Sequence, residues 1–563
     1  MSFVRNRIVL ALFGLFGILG VSAQTSFEDV TEAAGINHQF EVFEGMFGGG
    51  ITVFDFNNDG FEDLFITSGM KEDVLYLNNG DGTFKNIYGT SGLQITKDFI
   101  TQGTASADVN KDGWVDLVVT TLSTKDTTKI IPRAKNLLFI NNGDMTFRDA
   151  TKEYGLNSLY SFSTGASFGD VNADGYPDLY IGNYFLEYEG ELSEINDATI
   201  VNANQTAKGY LLINKGGKSF SNEYEAYGMS HRGFGFGALF TDFDNDADQD
   251  VIVNHDFGYK AVPSLLLENK HPRKGFKDIS AEKEMDLKIN AMGAAIGDYD
   301  NNGLLDYFIT NIRFNLFMVN GGDDPFVDMA KDLGTSLMSI SWGANFADFD
   351  HDTDLDLYVS NGDLNPNCVP MPDFYFENNN GSFTEKAWEI GLNDYGIGRG
   401  SVIFDIENDG DMDILVVNQK AILPGYPVPS KTSLFRNNSA KGNWLKVALK
   451  GIQSETRGIG SKVEVVIGDT HMIREIDGGG SSHLSQNSTI AHFGLGNATK
   501  VDAVIVTWLG GKQQLLTNQP INTLLEIVEI EEKKNSLYII LAVLFAIAAL
   551  VIVYLVRRSK SKS

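Results

Sequence analysis

The chain has 563 residues, of which 74 are acidic and 44 are basic, so its formal net charge is -30. A surface this acidic repels phosphate groups, which excludes nucleic-acid binding through a basic patch. Hydrophobic residues make up 43% of the chain, enough apolar surface to bury in a core, so this is not a disordered acidic tail. The length predicts several domains, or one large repeat architecture with additional segments.

The N-terminus has the pattern of a secretory signal peptide. Arg5 and Arg7 precede an apolar stretch, and the small residues Val21-Ser22-Ala23 form a cleavage site. Residues 1–23 are therefore predicted to be removed on export.

The C-terminus contains an uncharged apolar run from Leu537 to Val556, followed by Arg557, Arg558 and Lys560. Twenty helical residues extend about 30 Å, the thickness of a hydrocarbon core. The positive-inside rule places residues 557–563 in the cytoplasm. The pattern predicts a single-pass protein of the cytoplasmic membrane with an exported body, periplasmic or extracellular; a sorting signal that is later removed is the alternative.

Cys368 is the only cysteine, so no disulfide within the chain stabilises the body. No neighbouring His or Lys marks its thiol as reactive. Another stabilising element is therefore expected.

An acidic loop occurs seven times, with side-chain oxygens at relative positions 1, 3, 5 and 9. In chain order, loops 1 to 7 are Asp55, Asn57, Asp59 and Asp63; Asp108, Asn110, Asp112 and Asp116; Asp170, Asn172, Asp174 and Asp178; Asp242, Asp244, Asp246 and Asp250; Asp298, Asp300, Asn302 and Asp306; Asp348, Asp350, Asp352 and Asp356; and Asp405, Glu407, Asp409 and Asp413. Position 6 is glycine except at Ala247 and Thr353.

This spacing suits Ca²⁺, which takes six to eight hard oxygen ligands. Glycine at position 6 allows the turn that returns position 9 to the ion, and a backbone carbonyl near position 7, Phe61 in loop 1, would complete the set. We therefore predict up to seven Ca²⁺ ions. They would neutralise many of the 24 carboxylates that occupy ligand positions.

The loops are not EF-hands, because position 12 lacks the bidentate Glu. That position holds a β-branched aliphatic residue in every copy: Ile66, Val119, Ile181, Val253, Ile309, Val359 and Val416. The apolar runs after position 9 indicate buried strands, so each loop is predicted to join two strands. A glycine five residues before each loop, such as Gly50 or Gly103, marks either a close approach of another backbone or a bulge.

The repeat is permuted between the chain ends. A Phe-led segment follows six of the loops, and the seventh copy is Phe27-Glu28-Asp29 near the N-terminus. The unit can be completed only if the ends meet, and its length of about 58 residues accommodates four strands. We predict an all-β fold: a seven-bladed β-propeller over residues 25–440, closed by pairing the N-terminal segment into the last blade.

These repeats resemble FG-GAP/VCBS repeats, which build the integrin-α-like propeller. The resemblance implies that the loops bind Ca²⁺ on one face of the ring. Residues 441–530 are predicted to form a small β-rich domain, and Ser485-Gln486, His492-Phe493-Gly494-Leu495-Gly496 and Trp508 resemble the ASPIC/UnbV domain of proteins related to cartilage acidic protein.

Two main functions are compatible with these patterns, and a structural subunit of an envelope complex is a third alternative. The first is a Ca²⁺-dependent binding or adhesion scaffold without catalysis, whose partner is an extracytoplasmic protein or a glycan. The second is a Ca²⁺-dependent carbohydrate-active enzyme, a lyase or hydrolase, which rests on fold analogy alone. His483, Ser485 and His492 are weak catalytic candidates beside Asp477. The residues expected at a solvated rim or a pocket are Arg232, Arg399, His231 and His255.

Overall fold

The structure is a computed structural model that describes residues 25–43, 47–126, 131–187, 205–439 and 442–531. Across these ranges the regular structure is almost entirely strand. One four-residue α-helix, Ala387–Ile390, and three 3-10 helices, Tyr88–Thr90, Gln94–Asp98 and Leu156–Ser158, are the exceptions. The predicted all-β class is confirmed, and the sheets are arranged as in a propeller-like fold.

The predicted localisation in the cytoplasmic membrane is corrected. In the part of the chain that the structure describes, no helix has the length and apolar character needed to cross a membrane. The segment predicted to span, residues 537–556, lies outside the described residues, as do the predicted signal peptide at 1–23 and the tail at 557–563.

Seven antiparallel sheets lie between residues 27 and 437 in the described ranges, and sheet n carries acidic loop n between its first two strands. The strands of sheets 1 to 4 are Ile51–Phe54, Asp63–Ile66, Val74–Asn78 and Phe84–Asn86; Phe99–Ala107, Asp116–Thr124, Leu137–Asn141 and Phe147–Asp149; Tyr160–Gly169, Asp178–Phe185, Tyr210–Asn214 and Phe220–Asn222, with Ala134–Lys135 added at the edge; and Phe234–Thr241, Asp250–Asp256, Leu265–Asn269 and Phe276–Asp278. Those of sheets 5 to 7 are Ala294–Gly297, Asp306–Ile309, Leu316–Val319 and Val327–Asp328; Met338–Ala347, Asp356–Asn361, Phe374–Asn378 and Phe383–Glu385, with Ile312–Phe314 added; and Gly398–Phe404, Asp413–Asn418, Ser433–Asn437 and Phe27–Asp29.

The two ends of the repeat array meet in sheet 7. Phe27 pairs with Asn437, and Asp29 pairs with Phe435, in antiparallel register. The Phe27 ring packs among buried side chains of sheets 6 and 7. The predicted pairing of the N-terminal segment into the last sheet is confirmed.

The second strand of each sheet is buried on both faces, as its apolar sequence predicted. Leu64, Phe65 and Ile66 are all fully buried, and so is every residue at position 12 of the loops. A position that lies in a buried strand cannot supply an EF-hand ligand, so the exclusion of EF-hands is confirmed.

The glycines that precede the loops lie where neighbouring sheets converge. A Cβ atom at Gly50 would lie 2.6 Å from the Cα atom of Gly103, and one at Gly400 would lie 2.5 Å from the carbonyl oxygen of Gly49. The register also shifts at this point in five sheets, for example between Thr101 and Thr104. Close approach and bulge, the two alternatives from the sequence, therefore both occur.

Residues 443–528 form two further sheets. One contains Asn443–Lys450, Ala491–Gly496 and Leu524–Val528, and the other contains Lys462–Ile467, Thr470–Glu475, Val501–Thr507 and Gln513–Gln519. Their core is not separate: Leu445, Phe493 and Trp508 belong to one buried cluster with Val109 and Val118 of sheet 2. We call these residues, 442–531, the C-terminal domain.

Candidate metal centres and the axial segment

All seven acidic loops fold around the aspartate at position 1. In loop 1 the backbone N–H of Asp59 donates to Oδ1 of Asp55 at 3.1 Å, and that of Gly60 donates to Oδ2 at 2.8 Å. The same pair of hydrogen bonds recurs in the other six loops. The sequence repeat therefore corresponds to one repeated backbone conformation.

Position 6 has a left-handed backbone in every loop. The five glycines have φ between 85° and 98°, and Ala247 and Thr353, which replace glycine, have φ of 66° and 91°. This conformation is costly for a residue with a Cβ atom and most costly for a β-branched one. Loops 4 and 6 therefore keep the shape of the others under local strain.

Position 4 is also left-handed in all seven loops, a feature that the sequence analysis missed. The residues are Asn58, Lys111, Ala173, Asn245, Asn301, His351 and Asn408. Four of them are asparagine, a non-glycine residue that tolerates this conformation well. The recurrence of asparagine at position 4 could therefore have predicted the left-handed backbone. The side chain of Asn408 donates to the carbonyl of Gly60 at 2.9 Å, joining loop 7 to loop 1.

The aspartate at position 9 anchors each loop to the third strand of its sheet. In sheet 1, Oδ1 of Asp63 accepts the N–H of Asn78 at 2.8 Å, and all seven position-9 aspartates make this contact while at most 1% exposed. Burial and nearby carboxylates raise the pKa of Asp63 to about 8 and that of Asp306 to about 8.

Each of these asparagines also joins its sheet to the preceding loop. The Nδ2 group of Asn214 in sheet 3 donates to the carbonyl of Val109 in loop 2 at 2.9 Å. The equivalent pairs are Asn141 to Phe56, Asn269 to Val171, Asn320 to Phe243, Asn378 to Tyr299, Asn437 to Phe349 and Asn78 to Ile406. The last pair joins sheet 1 to loop 7. An asparagine at, or directly after, the end of each third strand thus links neighbouring sheets.

Carboxylates converge in three loops of the described residues. Asp242, Asp244 and Asp250, then Asp298, Asp300 and Asp306, then Asp348, Asp350 and Asp352 each offer ligand oxygens within 4.8 Å of one another. In loops 1 to 3 the position-3 amide instead donates to the position-5 carboxylate, as Asn57 does to Asp59 at 2.8 Å. The N–H of Phe61 donates to Asp59, and its carbonyl is the predicted ligand.

The residues of loop 4 fit a hard divalent cation. Oδ2 of Asp250 is buried and makes no hydrogen bond, and Asp250 is 1% exposed. Burial, with the charges of Asp244, Asp248 and Asp242, raises the pKa of Asp250 well above its usual range. A cation with oxygen ligands is the group that would satisfy this carboxylate and offset the repulsion.

The catalytic candidates do not form a hydrolase-type arrangement. Nδ1 of His483 donates to the carbonyl of Met292 at 2.8 Å, and Nε2 of His492 donates to that of Gly410 at 2.9 Å. The hydroxyl of Ser485 donates to the carbonyl of His483 rather than to a ring nitrogen. Asp477 accepts from Ser481 and the N–H of Gly479.

Arg399 and His255 do not lie at a solvated rim. Arg399 is fully buried, stacks 4.1 Å from the Trp342 ring and donates to Gln419 and to three backbone carbonyls. His255 is buried and donates through Nδ1 to the carbonyl of Pro263. The expectation of a rim is wrong for both residues.

The seven sheets converge on residues 478–487 of the C-terminal domain, which we call the axial segment. Gln486 extends sheet 1, donating its N–H to Ile51 at 2.8 Å and accepting that of Val53 at 3.2 Å. Sheets 2 and 3 are reached through hydrogen bonds from Thr104 to Leu484 and from Phe168 to Gly478. Sheets 4 to 7 are contacted at Ala238, Met292, Gly343 and Ile403.

The space beyond the axial segment is filled by large apolar side chains. Leu484 packs into a buried cluster with Phe47, Tyr184, Phe236 and Trp342. Among the described residues, the place where the seven sheets converge is therefore filled by the chain itself. Gly480 lies close to sheet 4, since a Cβ atom at this position would lie 2.0 Å from the carbonyl oxygen of Ala238.

Known proteins match both parts of the chain. A family model for the FG-GAP-like repeat matches residues 55–119 and 108–181, and one for ASPIC and UnbV matches residues 451–534. Cartilage acidic protein 1 of Xenopus tropicalis is 24% identical over 447 residues, which are 76% of this chain and 64% of the relative. The mouse protein, from Mus musculus, is 23% identical over 404 residues, 70% of this chain and 49% of the relative.

The match thus spans about half to two thirds of the length of these relatives. A solved Agrocybe aegerita structure, described as recognising non-reducing terminal N-acetylglucosamine, has a TM-score of 0.37 and 16% identity, covering 70% of this chain and 96% of that one. A score this low supports no statement about function. The family matches confirm the two resemblances seen in the sequence: the chain contains FG-GAP-like repeats and an ASPIC and UnbV domain, and over most of its length it is similar to cartilage acidic protein 1.

Proposed function

We propose that this protein is a Ca²⁺-stabilised, seven-bladed propeller that acts as an interaction scaffold without catalysis. The seven sheets are the proposed blades, and the seven acidic loops are the proposed ion sites. The buried Oδ2 of Asp250, which has no hydrogen-bond partner amid three further aspartates, is the observation that carries the ion assignment. Similarity to cartilage acidic protein 1 and the FG-GAP-like repeats supports the scaffold role.

The filled axis supports a binding function rather than an axial active site. Propellers that process small molecules need a concave pocket with converging polar groups. Here residues 478–487 and the cluster around Trp342 occupy that position among the described residues. The proposed partner, a protein or a glycan, would therefore bind the sheet edges or the face opposite the loops.

The ion assignment predicts a large change in stability on chelation. A ligand that binds only the folded protein stabilises it by mass action, and several sites act together. We expect EGTA to lower the melting temperature substantially and added Ca²⁺ to restore it, measured by differential scanning calorimetry. Mg²⁺ at the same concentration should restore less, because it favours a rigid octahedral site.

Asp250→Asn provides a local test, with Asp502→Asn, a partly exposed aspartate outside the loops, as its control. The variant should lose one bound Ca²⁺ by equilibrium dialysis, whereas the control should retain every ion. An unchanged melting temperature after complete chelation of the wild-type protein would refute the ion assignment.

A further inference from the structure

Loops 4, 6 and 7 form a separate class because they carry five carboxylates each. In these three loops positions 3 and 5 are both acidic, and position 7 is aspartate: Asp248, Asp354 and Asp411. In loops 1, 2, 3 and 5 position 7 is apolar or aromatic, and one amide replaces an acid. The extra negative charge at three of the seven loops is not required by the shared backbone conformation.

The C-terminal domain places a lysine on two of these loops. Nζ of Lys446 donates to Oδ2 of Asp405 at 2.7 Å and to Oδ1 of Asn408 at 2.7 Å in loop 7. Nζ of Lys462 lies 2.9 Å from Oδ2 of Asp242 in loop 4. Lys446 is 3% exposed and Lys462 is 8% exposed, so these are buried contacts and not solvated surface pairs.

The same domain approaches loop 6 with a partly buried arginine. The guanidinium of Arg474 is partly buried and is attracted electrostatically to the carboxylates of Asp348 in loop 6 and Asp298 in loop 5. The backbone of the domain is also pressed against loop 6, since a Cβ at Gly494 would lie 2.0 Å from Oδ2 of Asp348. Each five-carboxylate loop therefore faces a cation of the C-terminal domain.

In loops 4 and 7 the lysine shares the position-1 aspartate with the proposed ion. Oδ2 of Asp405 accepts from Lys446 and from the N–H of Gly410, and Oδ2 of Asp242 accepts from Lys462 and from the N–H of Ala247. A positive charge held at a ligand carboxylate repels a divalent ion in the same loop and partly neutralises the loop when no ion is bound.

We propose that the C-terminal domain regulates the proposed ion sites of loops 4 and 7, with Lys446 and Lys462 lowering their affinity for Ca²⁺ and stabilising them without it. This assigns the domain a role as a built-in partner of the loop face. The inference rests on the proposed function, because it concerns the same Ca²⁺ sites. The additional aspartates at Asp248 and Asp411 balance the lysine charge so that a divalent ion still binds.

The test compares Lys446→Met and Lys462→Met in the full chain with Lys500→Met as control. Lys500 lies in the same domain but is paired with Asp502 at an exposed surface position. Titration calorimetry with CaCl₂ should show the affinity of one site rising at least about tenfold in each of the two variants, because a unit of like charge has been removed. The control should match the wild type.

Thermal unfolding provides the second measurement, and it remains informative if the variants are less stable than the wild type. Without Ca²⁺ both variants should melt at a lower temperature than the wild type, and saturating Ca²⁺ should raise their melting temperature by more than it raises that of the wild type. Equal affinities and equal Ca²⁺-induced shifts in all four proteins would overturn the proposal while leaving the ion sites intact. Absence of any Ca²⁺ binding to the wild type would instead overturn the proposed function.

Discussion

The asparagine links predict how much each contact between sheets contributes to stability. Asn78 lies at the contact between sheet 1 and loop 7, where the first sheet meets the last. Its Nδ2 group donates to Ile406 at 2.9 Å and to Glu62 at 3.2 Å, and its Oδ1 accepts the N–H of Gly80 at 2.9 Å. The side chain is 2% exposed. Asn78→Ala therefore removes three hydrogen bonds and leaves two buried carbonyls without this donor.

The expected cost follows from those groups. A buried polar group that loses its partner costs about 1–3 kcal/mol, so two carbonyls give a loss of about 2–6 kcal/mol in the free energy of unfolding. Asn214→Ala is the matched variant inside the array, since Asn214 donates to Val109 at 2.9 Å and to Pro177 at 3.1 Å and accepts from Gly217 at 2.8 Å.

Guanidinium unfolding at saturating Ca²⁺ measures both variants, with an unchanged m-value showing that stability alone has changed. If the array is a closed ring, Asn78→Ala and Asn214→Ala should cost nearly the same. Asn79→Ala, at an exposed position beside Asn78, should cost less than about 1 kcal/mol. A cost for Asn78→Ala near that of Asn79→Ala would show that sheet 1 and loop 7 are not joined, and would refute ring closure.

Three further predictions concern strain, close packing and pH. Thr353→Gly should raise the free energy of unfolding by about 1 kcal/mol or more, because it relieves the strain of a φ of 91°. Thr353→Ala keeps a Cβ atom and should raise it by less. Calorimetry on the Ca²⁺-loaded protein distinguishes the two variants. Gly494→Ala should cost about 3 kcal/mol because its Cβ would overlap the carboxylate of Asp348, and Gly89→Ala, which meets nothing within 4 Å, should cost little in the same denaturant assay. Burial lowers the pKa of His38 to about 3, so the folded protein favours the neutral ring; its contribution is complete above the unfolded pKa near 6.5 and is lost as the pH falls toward 3. At pH 5 this should remove about 2 kcal/mol. The loss of unfolding free energy between pH 7 and pH 5 should therefore be about 2 kcal/mol smaller for His38→Gln than for the wild type, since the other buried histidines are common to both proteins.

The sequence predicted those parts of the fold that repeat. Local patterns predicted the loops, the buried strands after position 9 and the Phe-led segment that is displaced to the N-terminus. The displaced segment led to the prediction that the chain ends pair, and Phe27 does pair with Asn437. The structure added the role of the buried asparagine that lies at, or directly after, the end of each third strand. A buried amide such as that of Asn141 donates a hydrogen bond to a backbone carbonyl of the neighbouring sheet. A repeat in the sequence shows that the asparagine recurs, but it does not show which carbonyl accepts the bond.

The contacts of the C-terminal domain could not be predicted in this way. Gln486 hydrogen-bonds to strands about 380 and 434 residues earlier, and no periodicity links such positions. Arg399 was expected near solvent because arginine is seldom fully buried. Its five donors are instead satisfied by Gln419 and by carbonyls, which makes burial tolerable without a carboxylate partner.

The axial segment explains how a protein with one cysteine can hold the proposed ring together. The asparagine links act only between neighbouring sheets, so they would allow one sheet to open without disturbing the others. Residues 478–487 contact all seven sheets, and opening any of them must break a contact at the axis. Local opening is therefore coupled to loss of the C-terminal domain, because that domain shares its core with sheets 2 and 3. The repeats and residues 442–531 should consequently unfold as one cooperative unit, with the proposed ions and the axial segment together taking the stabilising role that disulfides have in small secreted domains.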